Sequence, residues 1–185
     1  MTPMLGIMAS SISGSKAITG NYYSIATALG TGSSGTITFS SIPSTYTHLQ
    51  LRISARTSAS SIAITTTLNS DTATNYAQHY LYADGSTVAA GVPGSAQNGI
   101  VYVYAAGSGQ LANSYGVNII DILDYTNTNK YKTTRMISGY DVNGASGLIQ
   151  QSSGLWMNTS AINRIDLVSS GNFTTASTFA LYGVK

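Results

Sequence analysis

The sequence predicts an all-β chain: a single antiparallel β-sandwich, jelly-roll-like in its strand spacing, with about nine or ten strands and an extended N-terminal arm. Three observations predict it. Only 8% of the residues are charged, and the six acids (Asp71, Asp84, Asp121, Asp124, Asp141 and Asp166) are all aspartate, with no glutamate anywhere. The long charged side chains that clothe exposed helices are therefore scarce, while Ser, Thr, Tyr, Asn and Gly, which favour strands and turns, abound. Segment after segment also alternates apolar and polar residues with a period of two. In YTHLQLRISARTS, residues 46 to 58, Leu49, Leu51, Ile53 and Ala55 fall on one face, and His48, Gln50, Arg52, Ser54 and Arg56 on the other.

The chain has 185 residues, the size of one ordinary domain, and such a domain buries roughly 70% of its unfolded surface. It contains no cysteine, so it has neither a disulfide framework nor a thiolate metal site nor a thiol nucleophile. The division expected is an arm over residues 1–20 and a sandwich over 21–185.

The N-terminus, MTPMLGIMASSISGSK, is a short apolar run followed by Ser and Gly. No basic residue precedes the run and it is shorter than a signal-peptide core of ~7–15 residues, let alone a membrane span of ~20. It reads as a docking arm, with Pro3, Met4, Leu5, Ile7 and Met8 entering a groove on a neighbour. Burying four such side chains gains roughly 6–12 kcal/mol, whereas ordering about ten backbone residues costs roughly 10–20 kcal/mol. Docking thus needs backbone hydrogen bonds or several arms acting together.

Strands follow from Thr36. TITFSSI carries Ile37 and Phe39 on one face and is closed by Pro43; the 46–58 stretch follows; SIAITTTL holds Ile62, Ile64, Thr66 and Leu68 in phase. YAQHYLY sets Tyr76, Gln78, Tyr80 and Tyr82 opposite Ala77, His79 and Leu81, and Asp84-Gly85 marks a turn. VAAGVPGSAQNG has no periodicity and reads as a long loop before the strand IVYVYA. GVNIIDILDY is apolar on both faces, which predicts a central strand covered on both sides. TNTNK turns the chain and YKTTRMISGYD returns it as a hairpin partner; GLIQQSSGLWM, INRIDLV and STFALYGV complete the strands.

Candidate chemistry is sparse. Eight basic residues balance six acids to a net charge of +2 with no long basic run, which speaks against a nucleic-acid-binding surface. His48 and His79 sit on different predicted strands with no acid placed beside either; His48 reads as partner-facing and His79 as half-buried with one hydrogen bond. On an unbroken strand Asp121 and Asp124 would point to opposite faces, which denies them an acid–base pairing. Asp124 with Asn127–Asn129 offers oxygen ligands, but at no recognised calcium-loop spacing, and capping of the turn is expected instead. GTGSSG and GSG lead into no helix and lack a following GK[ST], so they are turns. Thirteen tyrosines against three phenylalanines favour rings that face water with one edge. Tyr80, Tyr82, Tyr102 and Tyr104, with His48, Arg52, Arg56 and Trp156, are the subunit-interface candidates; stacking of a host glycan on the tyrosines is the rival use.

Five segments in order, PMLGIMASSISG, FSSIPSTYTHLQLRISART, IIDILDYTNTNKYKTTR, SGLWMNTSAINRIDL and STFALYGVK, resemble a group of small virion structural proteins of tailed bacteriophages. The resemblance runs from Pro3 to Lys185 and is weakest across residues 84–115. It implies a β-sandwich displayed on the particle surface as a head decoration, cement or head-fibre protein, or alternatively as a tail-fibre or baseplate module that binds a receptor or glycan. It implies other capsid or tail proteins as partners, a homotrimer, no cofactor and no catalytic residue, with neither nucleic acid nor membrane as partner.

Overall fold

Alternation of buried and exposed side chains is what stacks this chain into two sheets. The computed structural model describes residues 21–60, 63–93, 96–143 and 147–185; the arm at 1–20, with Pro3, Met4, Leu5, Ile7 and Met8, lies outside the described residues. The described residues form twelve strands: β1 (Tyr22–Leu29), β2 (Thr36–Phe39), β3 (His48–Ala55), β4 (Ala63–Leu68), β5 (Tyr76–Ala83), β6 (Val88–Gly91), β7 (Ile100–Tyr104), β8 (Gly116–Leu123), β9 (Lys132–Asp141), β10 (Gly147–Trp156), β11 (Ile165–Ser169) and β12 (Thr178–Val184). Eight of them make one sheet in the order β1-β12-β3-β8-β9-β10-β5-β6, and four make a second in the order β2-β11-β4-β7. All pairings within both sheets are antiparallel. The all-β sandwich expected from the sequence is the fold.

The inner faces follow the predicted phase. Leu49, Leu51, Ile53 and Ala55 of β3 are buried, as are Ile120 and Ile122 of β8, Phe179 and Leu181 of β12, and Ile165 and Leu167 of β11 opposite them. Trp156 closes one end of this core. It is fully buried, stacks on Tyr76 at 6.3 Å between ring centroids, and donates its Nε1–H to Asp71 at 2.8 Å. Burial pushes the Tyr76 hydroxyl up to about 12.

Four strands cannot span eight, and the gap is closed by polar groups. β7 is an edge of the small sheet, yet its main chain is gripped from across the sandwich. Gln78 of β5 donates to the Val101 carbonyl at 2.7 Å and accepts from the Val101 N–H at 3.0 Å. Asn118 of β8 does the same to Tyr104, at 2.8 Å in each direction. Two side-chain amides thus take the place of a missing neighbouring strand. Nearby, the buried hydroxyls of Thr66, Thr134, Ser138 and Ser152 have no protein partner.

Three local expectations change. The aperiodic stretch after Asp84 contains β6, which pairs with β5 from Tyr80↔Gly91 to Ala83↔Val88. The segment before Thr36 contains β1, paired with β12. β8 is central within its sheet, as predicted, but only its inner face is covered: Val117, Ile119 and Leu123 are 58%, 45% and 41% exposed. The apolar run on both faces therefore marks a sheet with one uncovered side. The predicted β8–β9 hairpin forms, with Val117↔Gly139 through Leu123↔Thr133 in register.

Removing a gripping amide should cost far more than removing an idle hydroxyl. Asn118→Leu strands the buried N–H and carbonyl of Tyr104 and should lower unfolding free energy by about 2–5 kcal/mol, whereas Ser138→Ala or Ser152→Ala should stay within about 0.5 kcal/mol or stabilise. Urea unfolding of the three variants checks this ordering.

Candidate functional site

The outer face of the eight-stranded sheet is the most unusual surface of the molecule. The register aligns its outward side chains in rows across the strands. One row runs Ala180, Arg52, Ile119, Ile137, Gln151, Leu81; the next runs Thr178, Ser54, Val117, Gly139, Ile149, Ala83. Ile137, Ile149 and Leu81 are 54%, 63% and 50% exposed, so with the β8 residues they form a contiguous apolar field. The field lies in an open depression of about 840 Å³ lined by Val117, Ile119, Ile137, Leu148 and Ile149, with Arg52 and Asp141 among its polar residues. Contiguous exposed apolar area of this kind marks an interaction surface.

Charge is confined to the borders. A third row holds Gln50, Asp121 and Arg135: Gln50 donates to Asp121 at 2.8 Å, and Arg135 donates to its other oxygen at 3.0 Å. Arg52 donates to Gln50 at 2.8 Å and lies over the rings of Tyr22 and Tyr182, at 5.2 and 4.9 Å. This is the polar face predicted for the 46–58 stretch, and it is the outer side of a sheet.

Arg56, assigned by periodicity to the same face, lies just past β3 and turns to the 107–114 loop. Its guanidinium donates to the carbonyls of Gln110, Leu111 and Ser114 at 2.9–3.1 Å. Within the chain it is a clasp for its own loop. His48 has a carboxylate close by, contrary to expectation. Asp124 lies 3.4 Å from Nδ1, and that nitrogen accepts the Asp124 backbone N–H at 2.9 Å. The imidazole nitrogen is spent on the end of β8. His79 is exposed on the outer face rather than half-buried, since its strand turns Tyr76 and Gln78 inward.

β8 ends at Leu123 and Asp124 adopts a left-handed φ of 48°, so the two aspartates do not share one unbroken strand. They still serve different cations, Arg135 at Asp121 and Lys130 at Asp124. The turn oxygens considered for calcium are taken by amines. Besides Lys130 on Asp124, the fully buried Lys132 donates to the carbonyls of Asn127, Lys130 and Thr159 at 2.6, 3.1 and 2.9 Å. Burial, with Lys130 nearby, pulls the Lys132 ammonium below its ordinary value. Nothing in the sequence separates this internal cation from a surface lysine. Among the described residues no three acidic or histidine side chains converge as a metal site would require.

The tyrosines come together. Tyr82, Tyr80, Tyr102, Tyr104 and Tyr140 form a chain of rings with successive centroid separations of 5.9, 4.7, 6.3 and 6.4 Å. Tyr102 sits at a strand irregularity with φ 68°, and Tyr104 is buried with its hydroxyl donating to Gln150 at 3.0 Å. Burial raises the Tyr104 and Tyr102 hydroxyls above the ordinary tyrosine value. The cluster fills the gap between sheets beside β7; Tyr80, Tyr82 and Tyr102 keep partial exposure there. Trp156, also considered for an interface, is wholly inside the core. No protein-family model, curated protein or solved structure matches this chain.

The carboxylates set the acid limit of stability. Arg164 holds Asp166 below the usual carboxylate range, the Asn75 amide does so for Asp71, and Lys130 for Asp124. A lowered folded value stabilises the fold above the unfolded carboxylate value of about 3.9, and that gain is lost as pH falls through the folded values. Stability should thus be flat from neutrality to about pH 5 and drop below about pH 4, with a shallower acid limb in Asp166→Asn; circular-dichroism melts across pH read both.

Proposed function

We propose that this chain is a non-catalytic structural module of a tailed-phage particle, carried on the particle surface as a capsid decoration, cement or head-fibre protein. The carrying observation is the uncovered apolar face of the eight-stranded sheet. A surface built to meet another protein supports an adhesive role, and the resemblance of five sequence segments to virion structural proteins supports the setting. Those segments include the β2–β3 corner, the β8–β9 hairpin, the β10–β11 connection and β12, which are framework of the sandwich. In this reading the N-terminal arm fixes the module to capsid or tail proteins, the outer sheet face meets a neighbouring protein, and a homotrimer closes cyclically through the remaining surfaces.

A rival use has one observation behind it. The partly exposed rings of Tyr80, Tyr82 and Tyr102 lie together next to β6, which suits stacking against a host glycan in a tail-fibre or baseplate module. A glycan-array signal lost on Tyr102→Ala would establish that use.

Two measurements test the main proposal. With 14 charged residues in the whole chain, little of the attachment is screened Coulomb energy, so the protein should stay on particles through a high-salt wash. Stripping by salt would overturn the adhesive account. Deleting residues 1–12 should leave a folded module that no longer joins particles; loss of folding would make that segment part of the sandwich instead.

A further inference from the structure

We infer that the occupant of the outer apolar face is the same face of a second copy, packed about a two-fold axis that runs across the strands between the Ile137 and Gly139 rows. The inference rests on the assembly reading of this face and names its partner.

Shape comes first. An evenly twisted sheet is a saddle, and a saddle rotated about an in-plane axis perpendicular to its strands coincides with itself. Two copies can therefore stack as aligned sheets, with their twists matched, about 10 Å apart. Side-chain size comes second. The rotation exchanges the two central rows, so Ile137 meets Gly139 of the second copy, Leu81 meets Ala83, Gln151 meets Ile149, and Ile119 meets Val117. On β9 a bulky residue opposes glycine and on β5 leucine opposes alanine, while on β8 and β10 side chains of similar size meet.

Charge comes third. The outward residues of β9 read Thr133, Arg135, Ile137, Gly139, Asp141, a cation and an anion equally spaced about the axis. The rotation brings Arg135 over Asp141 of the second copy, twice per dimer. The Arg135 side chain is 68% exposed and so has donors to spare beyond its bond to Asp121. Area comes last. Eight strands at ~4.8 Å spacing and about eight residues long present about 900 Å² of face, against the ~800 Å² per partner of a standard stable interface. Because this contact is isologous, any three-fold closure has to use other surfaces.

Sedimentation equilibrium of the full chain tests it. The chain should dimerise, and Ile137→Lys should raise the dissociation constant on the order of a hundredfold, while Val168→Lys, on the outer side of the small sheet, leaves it unchanged. Should Ile137→Lys melt early, Ile149→Lys at a 63% exposed site takes its place. Arg135→Asp and Asp141→Arg should each weaken the dimer about tenfold, and both together in one chain should restore it, because the two positions face each other only across this axis. A chain monomeric at every concentration overturns the inference and leaves the particle assignment to the wash and deletion measurements. A dimer indifferent to Ile137→Lys but abolished by deleting residues 1–12 also overturns it, by assigning the contact to the arm.

Discussion

Four strands cannot cover eight, and most of the architecture answers that mismatch of area. Where β2, β11 and β4 lie over the large sheet, the core is aliphatic and aromatic and needs no further device. Beyond them, toward β10 and β5, β7 stands alone as the last covering strand. There the interior turns polar: Gln78 and Asn118 hold the β7 main chain, and a run of tyrosine rings fills the space that further strands would have filled. Tyrosine suits this place because its ring packs as an apolar body while its hydroxyl reaches a partner or the surface. The left-handed residue at Tyr102 bends β7 into this role at some conformational cost, tolerated because Gln78 holds one flank and Asn118 the other.

The few charged groups are used as ties within the chain. Arg56 binds the 107–114 loop, Lys132 gathers three carbonyls from two loops, and Arg164 forks onto Asp166 beside Thr38 and Ser70. Each replaces a stretch of regular structure that the loops lack. A buried ammonium is tolerable only because all three of its protons are accepted, so Lys132 depends on the loops it organises as much as they depend on it. A protein assembled this way has little free charge with which to attract partners at long range, and its contacts have to come from shape and apolar area.

Ten of the twelve strands were legible, most of them as alternation and β8 as an apolar run on both faces, and the two that were not, β1 and β6, are the edges of the large sheet. β6, at the rim, lies beyond the covering layer, so selection for alternate apolar residues relaxes and VAAG has no pattern to read, whereas β1 packs Ile25, Ala26 and Ala28 against the core. The site was legible in pieces. The alternation in 46–58 placed Arg52 on the outer face correctly, but it could not show that Arg56, one residue beyond the strand, escapes the period. The apolar character of both faces of GVNIIDILDY was visible, and its meaning was ambiguous: an uncovered face built for contact and a doubly covered strand carry the same residues. Lys132 was illegible because its partners are backbone carbonyls, which leave no side-chain signature, and His48 because Asp124 comes beside it only through the β3–β8 pairing.

Edges and faces are the two ways in which one sheet can meet another, and this fold closes the first. β2 and β6 are four residues long, β7 is held by side-chain amides, and β1, the one long edge, carries a register shift between Ser24 and Ala26 that breaks its row of hydrogen-bonding groups. Edge-to-edge growth, the usual hazard of a neutral β-protein, is blunted at all four positions. The outer face of the large sheet is left uncovered at the same time, with its charges at the borders and its apolar residues in the middle. Blunted edges beside a retained apolar face favour association that ends when the face is filled. Such closure gives an assembly of fixed size rather than a fibre.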